Sequence, residues 1–210
     1  TPSAAHFIAK MTVFFLVLTI VIGAYFAATI GLTIIIIGLS GLAIILFYTQ
    51  WINKQPILCL ISSGLAFGPL MILGTYVVLT AEVSWHVFSI SLVPFFLTNN
   101  LLLINQFPDI AADKSVGRNH FSICYGINTS LYVYLSFSLL ALISTIMVLF
   151  NHDSSAFAYL TLAPILLALL VVSFFMKNGT IMTTIIPALF VSVISAVLTP
   201  LFLATAIYLA

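Results

Sequence analysis

Long runs of apolar residues alternate along the chain with short breaks that contain polar residues, glycine or proline. A helix needs about 20 apolar residues to cross the hydrocarbon core of a bilayer. Runs that reach or approach this length lie at 11–30, 32–49, 57–80, 86–104, 128–150, 156–176 and 188–209. Because backbone groups in lipid must bond within their own segment, β-branched runs are predicted to be helical too. The pattern predicts an all-α, polytopic membrane bundle of seven transmembrane helices, forming one domain over residues 1–210.

The composition agrees with this pattern, because charged residues make up only 4% of the chain and hydrophobic residues 63%. A soluble domain carries about 25% charged residues, so this chain is too poor in charge to face water over most of its surface. The net charge of +1 and the lack of a basic run give no sign of nucleic-acid binding. The two cysteines, Cys59 and Cys124, are interpreted as packing residues.

The basic residues give the orientation. When the faces of the membrane are alternated along the seven spans, one face receives all the basic residues, namely Lys10, Lys54, Lys114, Arg118 and Lys177. Glu82 and Asp153 fall on the other face. Basic residues mark the cytoplasmic side of membrane proteins. The longest break, 105–127, is therefore predicted to be cytoplasmic.

This longest break holds the densest group of chemically active residues. Asn105, Asp109 and Asp113 are spaced four apart, so on a helix they would share one face, and Pro108 suits the first turn of a helix that carries both aspartates. Two carboxylates and an amide oxygen are ligands that Mg²⁺ prefers, and Mg²⁺ often completes its shell with waters and substrate phosphates. A solvated loop with Asp–Lys pairs is the alternative interpretation.

Basic side chains accompany these acids. Lys114 and Arg118 are four apart on an adjacent predicted face, where they could pair with a diphosphate. His120 is interpreted as a solvated loop histidine, with help in proton removal as the alternative. Asn99 and Asn100, inside the preceding span, are predicted to bond between helices, with a place in a substrate pocket as the alternative.

Residues 105–118, with the pattern Asn-x-x-x-Asp-x-x-x-Asp-x-x-x-Gly-Arg after Asn99-Asn100, resemble the second aspartate-rich motif of UbiA-type intramembrane prenyltransferases. Asn-Gln-Phe-Pro-Asp at 105–109 is most similar to members that act on 1,4-dihydroxy-2-naphthoate. The same subgroup is matched by Phe-Tyr-Thr at 47–49, Lys54 ahead of Pro56, Phe-Gly-Pro at 67–69 and Gly-Thr-Tyr at 74–76. The chain departs from the family at 119–121, where Asn-His-Phe replaces Lys/Arg-Thr-Leu, and at 59–60, where Cys-Leu replaces Gly-Glu.

The resemblance implies Mg²⁺-dependent transfer of a polyprenyl group from polyprenyl diphosphate to an aromatic quinone precursor, 1,4-dihydroxy-2-naphthoate, in menaquinone biosynthesis. It implies a bacterial inner-membrane enzyme whose partners are these two substrates and the lipid bilayer. Other acceptors, such as 4-hydroxybenzoate, stay open. The implied site consists of catalytic and metal-binding Asp109 and Asp113, metal-binding Asn105, and diphosphate-binding Lys114, Arg118, Lys54 and Tyr48. Tyr48 and Lys54 also fit a second role as interfacial side chains.

The family has nine spans and a first aspartate-rich motif after the second of them. Thr1 resembles the start of the third span, so the first two spans and the first motif are expected to be missing from this sequence. The missing motif leaves an inactive fragment or pseudoenzyme as one alternative. A second alternative, a small transporter, would carry ionisable residues near the middle of the bilayer, whereas the charged residues here lie at span ends and in the breaks, which counts against it.

Overall fold

The computed structural model describes residues 2–150, 156–178 and 185–209, and helices make up nearly all of this part of the chain. No strand occurs within those ranges, which confirms the predicted all-α class. Thr1 and Asp153, used in the sequence arguments, lie outside them. The helices are α1 (Pro2–Ile30), α2 (Leu32–Tyr48), α3 (Pro56–Leu65), α4 (Met71–Thr80), α5 (Trp85–Asn105), α6 (Ile110–Ser115), α7 (Phe121–Phe150), α8 (Ala163–Asn178) and α9 (Ile185–Tyr208).

The described helices match the seven predicted spans. Five stretches are long and apolar enough to cross a membrane, namely His6–Ile30, Pro56–Thr80, Trp85–Asn105, Phe121–Phe150 and Ile185–Tyr208. Two shorter apolar helices, Leu32–Tyr48 and Ala158–Phe174, correspond to the remaining two runs. The chain is therefore an integral membrane bundle.

The start of α7 differs from the sequence prediction of a span beginning at residue 128. Helical structure already begins at Phe121, and a kink at Gly126 separates the first residues from the rest of α7. Gly126 has φ 81°, a backbone conformation that glycine adopts without a steric penalty. The residues before the kink include polar ones, so the apolar run that predicted the span did not include this extra turn.

Helix α5 lies at the centre of the bundle, where it packs against α3, α4, α7 and α9. Its side chains Val93, Leu97, Leu103 and Ile104 are buried in the two apolar clusters of the core. By contrast, α1 has no buried side chain among those described, and its apolar side chains face outward. Such a surface is expected where lipid is the solvent.

Two neighbouring amides on α5 bind it to the helices on either side. The Oδ1 atom of Asn99 accepts hydrogen bonds from the backbone N–H of Gly64 at 2.6 Å and the hydroxyl of Ser63 at 3.2 Å. The Nδ2 atom of Asn100 donates to the carbonyl of Tyr134 at 3.0 Å and to Ser138 Oγ at 2.8 Å. These bonds confirm the predicted interhelical role, because α3 and α7 are each joined to α5 by a buried amide.

Small residues on α3 and the segment after it let α5 approach closely. A methyl group placed on Gly64 would overlap the carbonyl oxygen of Phe95 and the amide of Asn99. One placed on Gly68 would lie 2.7 Å from the carbonyl oxygen of Ser91 and 2.9 Å from Phe95 Cα. Both glycines therefore allow close packing, which fixes α3 and the turn after it against the middle of α5.

The connection from α3 to α4 is a single π-helical turn, Ala66–Leu70, which contains Pro69. Proline has no N–H and its ring collides with the carbonyl of the preceding turn, so an ordinary helix cannot pass through it unchanged. The wider π turn accommodates the ring and keeps Pro56–Thr80 continuous. Further along, a methyl group on Gly74 would lie 3.3 Å from Ile37 Cγ2, so α2 also packs closely against this span.

Candidate active site

A cavity of about 190 Å³ lies at the end of the bundle where α2, α3, α5, α6 and the start of α7 meet. Most of the residues that line it have polar side chains, although the spans around it are strongly apolar. The lining residues are Tyr48, Asn53, Cys59, Leu102, Asn105, Gln106, Asp109, Asp113, Arg118 and His120. The predicted acidic break and the end of the second span therefore contribute to one common site.

Asn105, Asp109 and Asp113 all line this cavity, but they do not share one continuous helix. Asn105 is the last residue of α5, turns follow at 106–109, and α6 begins at Ile110, directly after Asp109. The prediction that a helix starts at Pro108 and carries both aspartates is wrong in this respect. Pro108 has no N–H and disfavours helical geometry in the residue before it, so the chain turns there before the next helix starts.

A tight turn after α6 brings Arg118 back towards Asp113. Gly117, with φ 80°, ends the helix. The N–H of Gly117 donates to the carbonyl oxygen of Lys114 at 3.2 Å, and the N–H of Arg118 donates to the carbonyl oxygen of Asp113 at 3.1 Å. This pair of bonds is a Schellman motif, which glycine favours. As a result, the guanidinium of Arg118 donates to Asp113 Oδ1 at 3.0 Å.

The same turn corrects the prediction that Lys114 and Arg118 share a helical face. Helix α6 ends at Ser115, so Arg118 lies beyond it. Arg118 lines the cavity, whereas Lys114 and Lys54 are exposed and are not among the described residues that line it. Tyr48, at the end of α2, does line the cavity. The roles in diphosphate binding expected for these four residues stay predictions.

His120 is buried, with only 2% of its side chain exposed, so its interpretation as a solvated loop histidine is wrong. Its Nε2 atom lies 3.3 Å from Asp113 Oδ2, without the alignment of a hydrogen bond. Burial lowers the pKa of His120 below its usual value, and the nearby carboxylate of Asp113 opposes this effect only in part. This shift favours the neutral imidazole.

A second polar group lies in the cavity wall where α2, α3 and the end of α5 converge. The hydroxyl of Tyr48 is 3.9 Å from the sulfur of Cys59, and Nε2 of Gln106 is 3.6 Å from the same sulfur. Cys59 is buried, as a packing residue would be, but it also forms part of the cavity wall. In the sequence, only the family resemblance singled out this position, because Cys-Leu replaces the family's Gly-Glu at 59–60.

The site has the donor atoms that a hard divalent cation needs. Asp109 and Asp113 supply carboxylates and Asn105 supplies an amide oxygen in the same cavity. In the described part of the chain, no group of three or more His, Cys, Asp or Glu residues could hold a metal ion. Two carboxylates with an amide instead suit Mg²⁺, which commonly relies on waters and substrate phosphates for the rest of its shell.

Comparison with known proteins tests the sequence resemblance independently. The model of the UbiA prenyltransferase family matches residues 4–194, which include every residue that lines the cavity. A search of curated proteins and a search of solved structures found no match. Because the family match extends over most of the sequence, the chain belongs to the UbiA prenyltransferase family.

Proposed function

We propose that this protein transfers a polyprenyl group from polyprenyl diphosphate to 1,4-dihydroxy-2-naphthoate in a Mg²⁺-dependent reaction at the cavity. Membership of the UbiA family supports prenyl transfer from a prenyl diphosphate within a membrane. The single observation that carries the assignment of the site is that Asn105, Asp109, Asp113 and Arg118 line one cavity at the end of the spans. The motif Asn-Gln-Phe-Pro-Asp at 105–109 supports the naphthoate acceptor.

The size and position of the cavity support binding of the diphosphate there, with the tail elsewhere. Pockets that enclose drug-sized ligands have volumes of about 300–1,000 Å³, and this cavity of about 190 Å³ is smaller. It therefore suits a diphosphate and an ion. The polyprenyl tail would extend along the apolar helices into the bilayer, and the basic residues support placing the site on the cytoplasmic face of a bacterial inner membrane.

In the proposed reaction, the allylic C–O bond breaks and its electron pair leaves with the diphosphate. Mg²⁺, when bound by Asp109, Asp113 and Asn105, supplies positive charge that stabilises the departing diphosphate. Arg118 shifts from its pairing with Asp113 to share the diphosphate, and surrounding apolar side chains such as Leu102 limit access of water to the allylic cation.

The acceptor ring completes the reaction. Its carbon that bears the carboxylate forms a bond with the first carbon of the prenyl group. The carboxylate then departs as CO₂ and leaves its bonding electrons in the ring, which restores aromaticity. An acceptor without this carboxylate, or one prenylated at another carbon, would lose a proton instead.

Product identification tests this function. Membranes that contain the protein, incubated with a polyprenyl diphosphate, Mg²⁺ and 1,4-dihydroxy-2-naphthoate, should yield a prenylated naphthalenediol that has lost CO₂, detected by mass spectrometry. Parallel incubations should contain 4-hydroxybenzoate or EDTA, and membranes without the protein provide the background. Prenylated 4-hydroxybenzoate alone would overturn the acceptor, and no product with any acceptor would overturn the function.

Arg118→Ala should raise the KM for polyprenyl diphosphate about 10- to 100-fold, because a hydrogen bond to a charged group contributes about 1.5–3 kcal/mol and 1.4 kcal/mol is tenfold. Arg118→Lys keeps the charge but loses the paired N–H geometry, so its KM should be intermediate. Lys177→Ala is the control, since Lys177 is an exposed cation on α8. Steady-state kinetics measure the effect, and an unchanged KM in Arg118→Ala would remove Arg118 from diphosphate binding.

A further inference from the structure

Asn53 is a polar residue of the cavity wall that the sequence motifs do not include. It lies in a single 3₁₀ turn, Ile52–Lys54, between α2 and α3, and only 7% of it is exposed. Its carbonyl accepts a hydrogen bond from the N–H of Asn119 at 3.1 Å, which ties this turn to the segment that leads into α7. The backbone of Asn53 is therefore fixed beside Arg118 and His120, and Asn53 is one of the residues that line the cavity.

The Oδ1 atom of Asn53 is buried and has no hydrogen-bond partner in the protein. A buried polar atom left in this state is destabilising, so its position needs an explanation in a partner outside the chain. A carbonyl-type oxygen is only an acceptor and can be satisfied by a cation or by a donor such as water. A fully ionised diphosphate oxygen is itself an acceptor, so it cannot fill this role.

The cavity brings Asn53 together with the proposed ion-binding residues. Asp109, Asp113 and Asn105 line the cavity from the 105–113 region, whereas Asn53 lines it from the connection between α2 and α3. Amide oxygens are ordinary ligands of hard divalent cations, and groups that hold metal-bound water also orient the site. We propose that Asn53 is a further oxygen ligand of the divalent cation, bound to the ion directly or through one of its coordinated waters.

This inference rests on the proposed function, which supplies the ion, but it adds a residue from a second segment of the chain. A cation held from both segments would connect the end of α2 to the acidic break around the bound diphosphate. Binding of Mg²⁺ and inorganic diphosphate should then protect the backbone amides of the Ile52–Lys54 turn, as well as those of the acidic break, from hydrogen exchange.

Mn²⁺ binding provides a test that does not depend on turnover. The detergent-solubilised protein is titrated with Mn²⁺, with and without inorganic diphosphate, and the free ion is measured by electron paramagnetic resonance. Asn53→Leu removes the oxygen at similar volume and should weaken Mn²⁺ binding about tenfold or more, as loss of such supporting ligands commonly does. Asn53→Asp keeps an oxygen and adds charge, so it should bind Mn²⁺ at least as tightly as the unmodified protein.

Gln55→Leu is the matched control, because Gln55 is an exposed amide two residues away in the same connection; it should leave Mn²⁺ binding unchanged. Unchanged binding in Asn53→Leu would overturn the inference, as would weaker binding in Asn53→Asp, which would indicate that the amide N–H₂ matters instead. If Asn53→Leu does not fold, Mn²⁺ binding by Asn53→Asp alone decides the inference. A protein that binds no Mn²⁺ even with diphosphate, before any substitution, would instead overturn the proposed function.

Discussion

Asp113→Ala should lower kcat for prenyl transfer by at least about 100-fold, the scale on which loss of one charge-stabilising group in an active site is commonly felt. The carboxylate of Asp113 is the one that Arg118 contacts at 3.0 Å and His120 approaches at 3.3 Å. Its removal takes away a proposed cation ligand and leaves Arg118 without this anion. The lost cation ligand weakens the stabilisation of the departing diphosphate, and Arg118 loses the contact that positions it before the diphosphate binds.

Companion variants separate the loss of charge from damage to the loop. Asp113→Asn keeps the shape and an oxygen that can accept from Arg118, yet it should still lose most activity because the negative charge is gone. Asp109→Ala should give a similar loss, although exposed Asp109 has a smaller part in holding the loop. Glu82→Ala removes an exposed acid from the connection between α4 and α5, outside the cavity, and should behave like the unmodified protein.

The measurement is the rate of single-turnover prenyl transfer at saturating prenyl diphosphate over a range of Mg²⁺ concentrations, with the amount of protein in the membrane quantified for each variant. Equal rates in Asp109→Ala, Asp113→Ala and the unmodified protein would exclude both carboxylates from the mechanism. If excess Mg²⁺ restores the activity of Asp113→Asn but not that of Arg118→Ala, the first variant has weakened ion binding and the second has weakened diphosphate binding.

The fold was predictable from the sequence because the bilayer imposes a length on every span. The apolar runs at 11–30 and 32–49 are separated at Gly31, where α1 ends and α2 starts. The run at 57–80 extends through Pro69, and hydropathy alone kept it as one span although its helix type changes. At the start of α7, the predicted boundary at residue 128 lies just after the kink at Gly126, whereas the short helical stretch from Phe121 to the kink was not predicted.

The candidate site was only partly predictable, because the spacing of Asn105, Asp109 and Asp113 identified the residues but not their geometry. Periodicity assumed one helix across this region, whereas the chain turns at 106–109 and again at Gly117. The second turn decides that Arg118, rather than Lys114, lines the cavity. Turn chemistry at a proline and a glycine therefore overrides the four-residue spacing.

The residues that sequence reasoning missed are those placed by contacts between distant segments. Asn53 lines the cavity beside a segment more than sixty positions away, to which its carbonyl is bonded through Asn119. His120 is buried for the same reason, since the chain around it packs against the 3₁₀ turn and α3. No local pattern in a single sequence records such contacts, although Asn53 directly precedes Lys54, which the resemblance did single out.

The close approach of α3 to α5 gives opposite expectations for two glycine-to-alanine substitutions. Gly64→Ala should lower the free energy of unfolding by about 1–3 kcal/mol, the usual cost of forcing extra volume into a packed interior. The added methyl overlaps the carbonyl of Phe95 and the amide of Asn99, and Asn99 Oδ1 already accepts from the N–H of Gly64. The added methyl therefore clashes with backbone atoms and with a buried hydrogen bond, and neither can shift without a loss of stability.

Gly38→Ala is the matched control, because Gly38 lies within α2 and nothing in the described chain comes within 4 Å of an added methyl there. Alanine is more favourable than glycine in a helix by about 0.5–1 kcal/mol, so this variant should be as stable as the unmodified protein or more so. Thermal unfolding in detergent should show a lower melting temperature for Gly64→Ala and an equal or higher melting temperature for Gly38→Ala, each relative to the unmodified protein. Since α3 carries Cys59 and α5 ends at Asn105, both in the cavity wall, Gly64→Ala should also reduce Mn²⁺ binding. Equal melting temperatures for Gly64→Ala and Gly38→Ala would contradict the close contact of α3 with α5 on which the shape of the cavity depends.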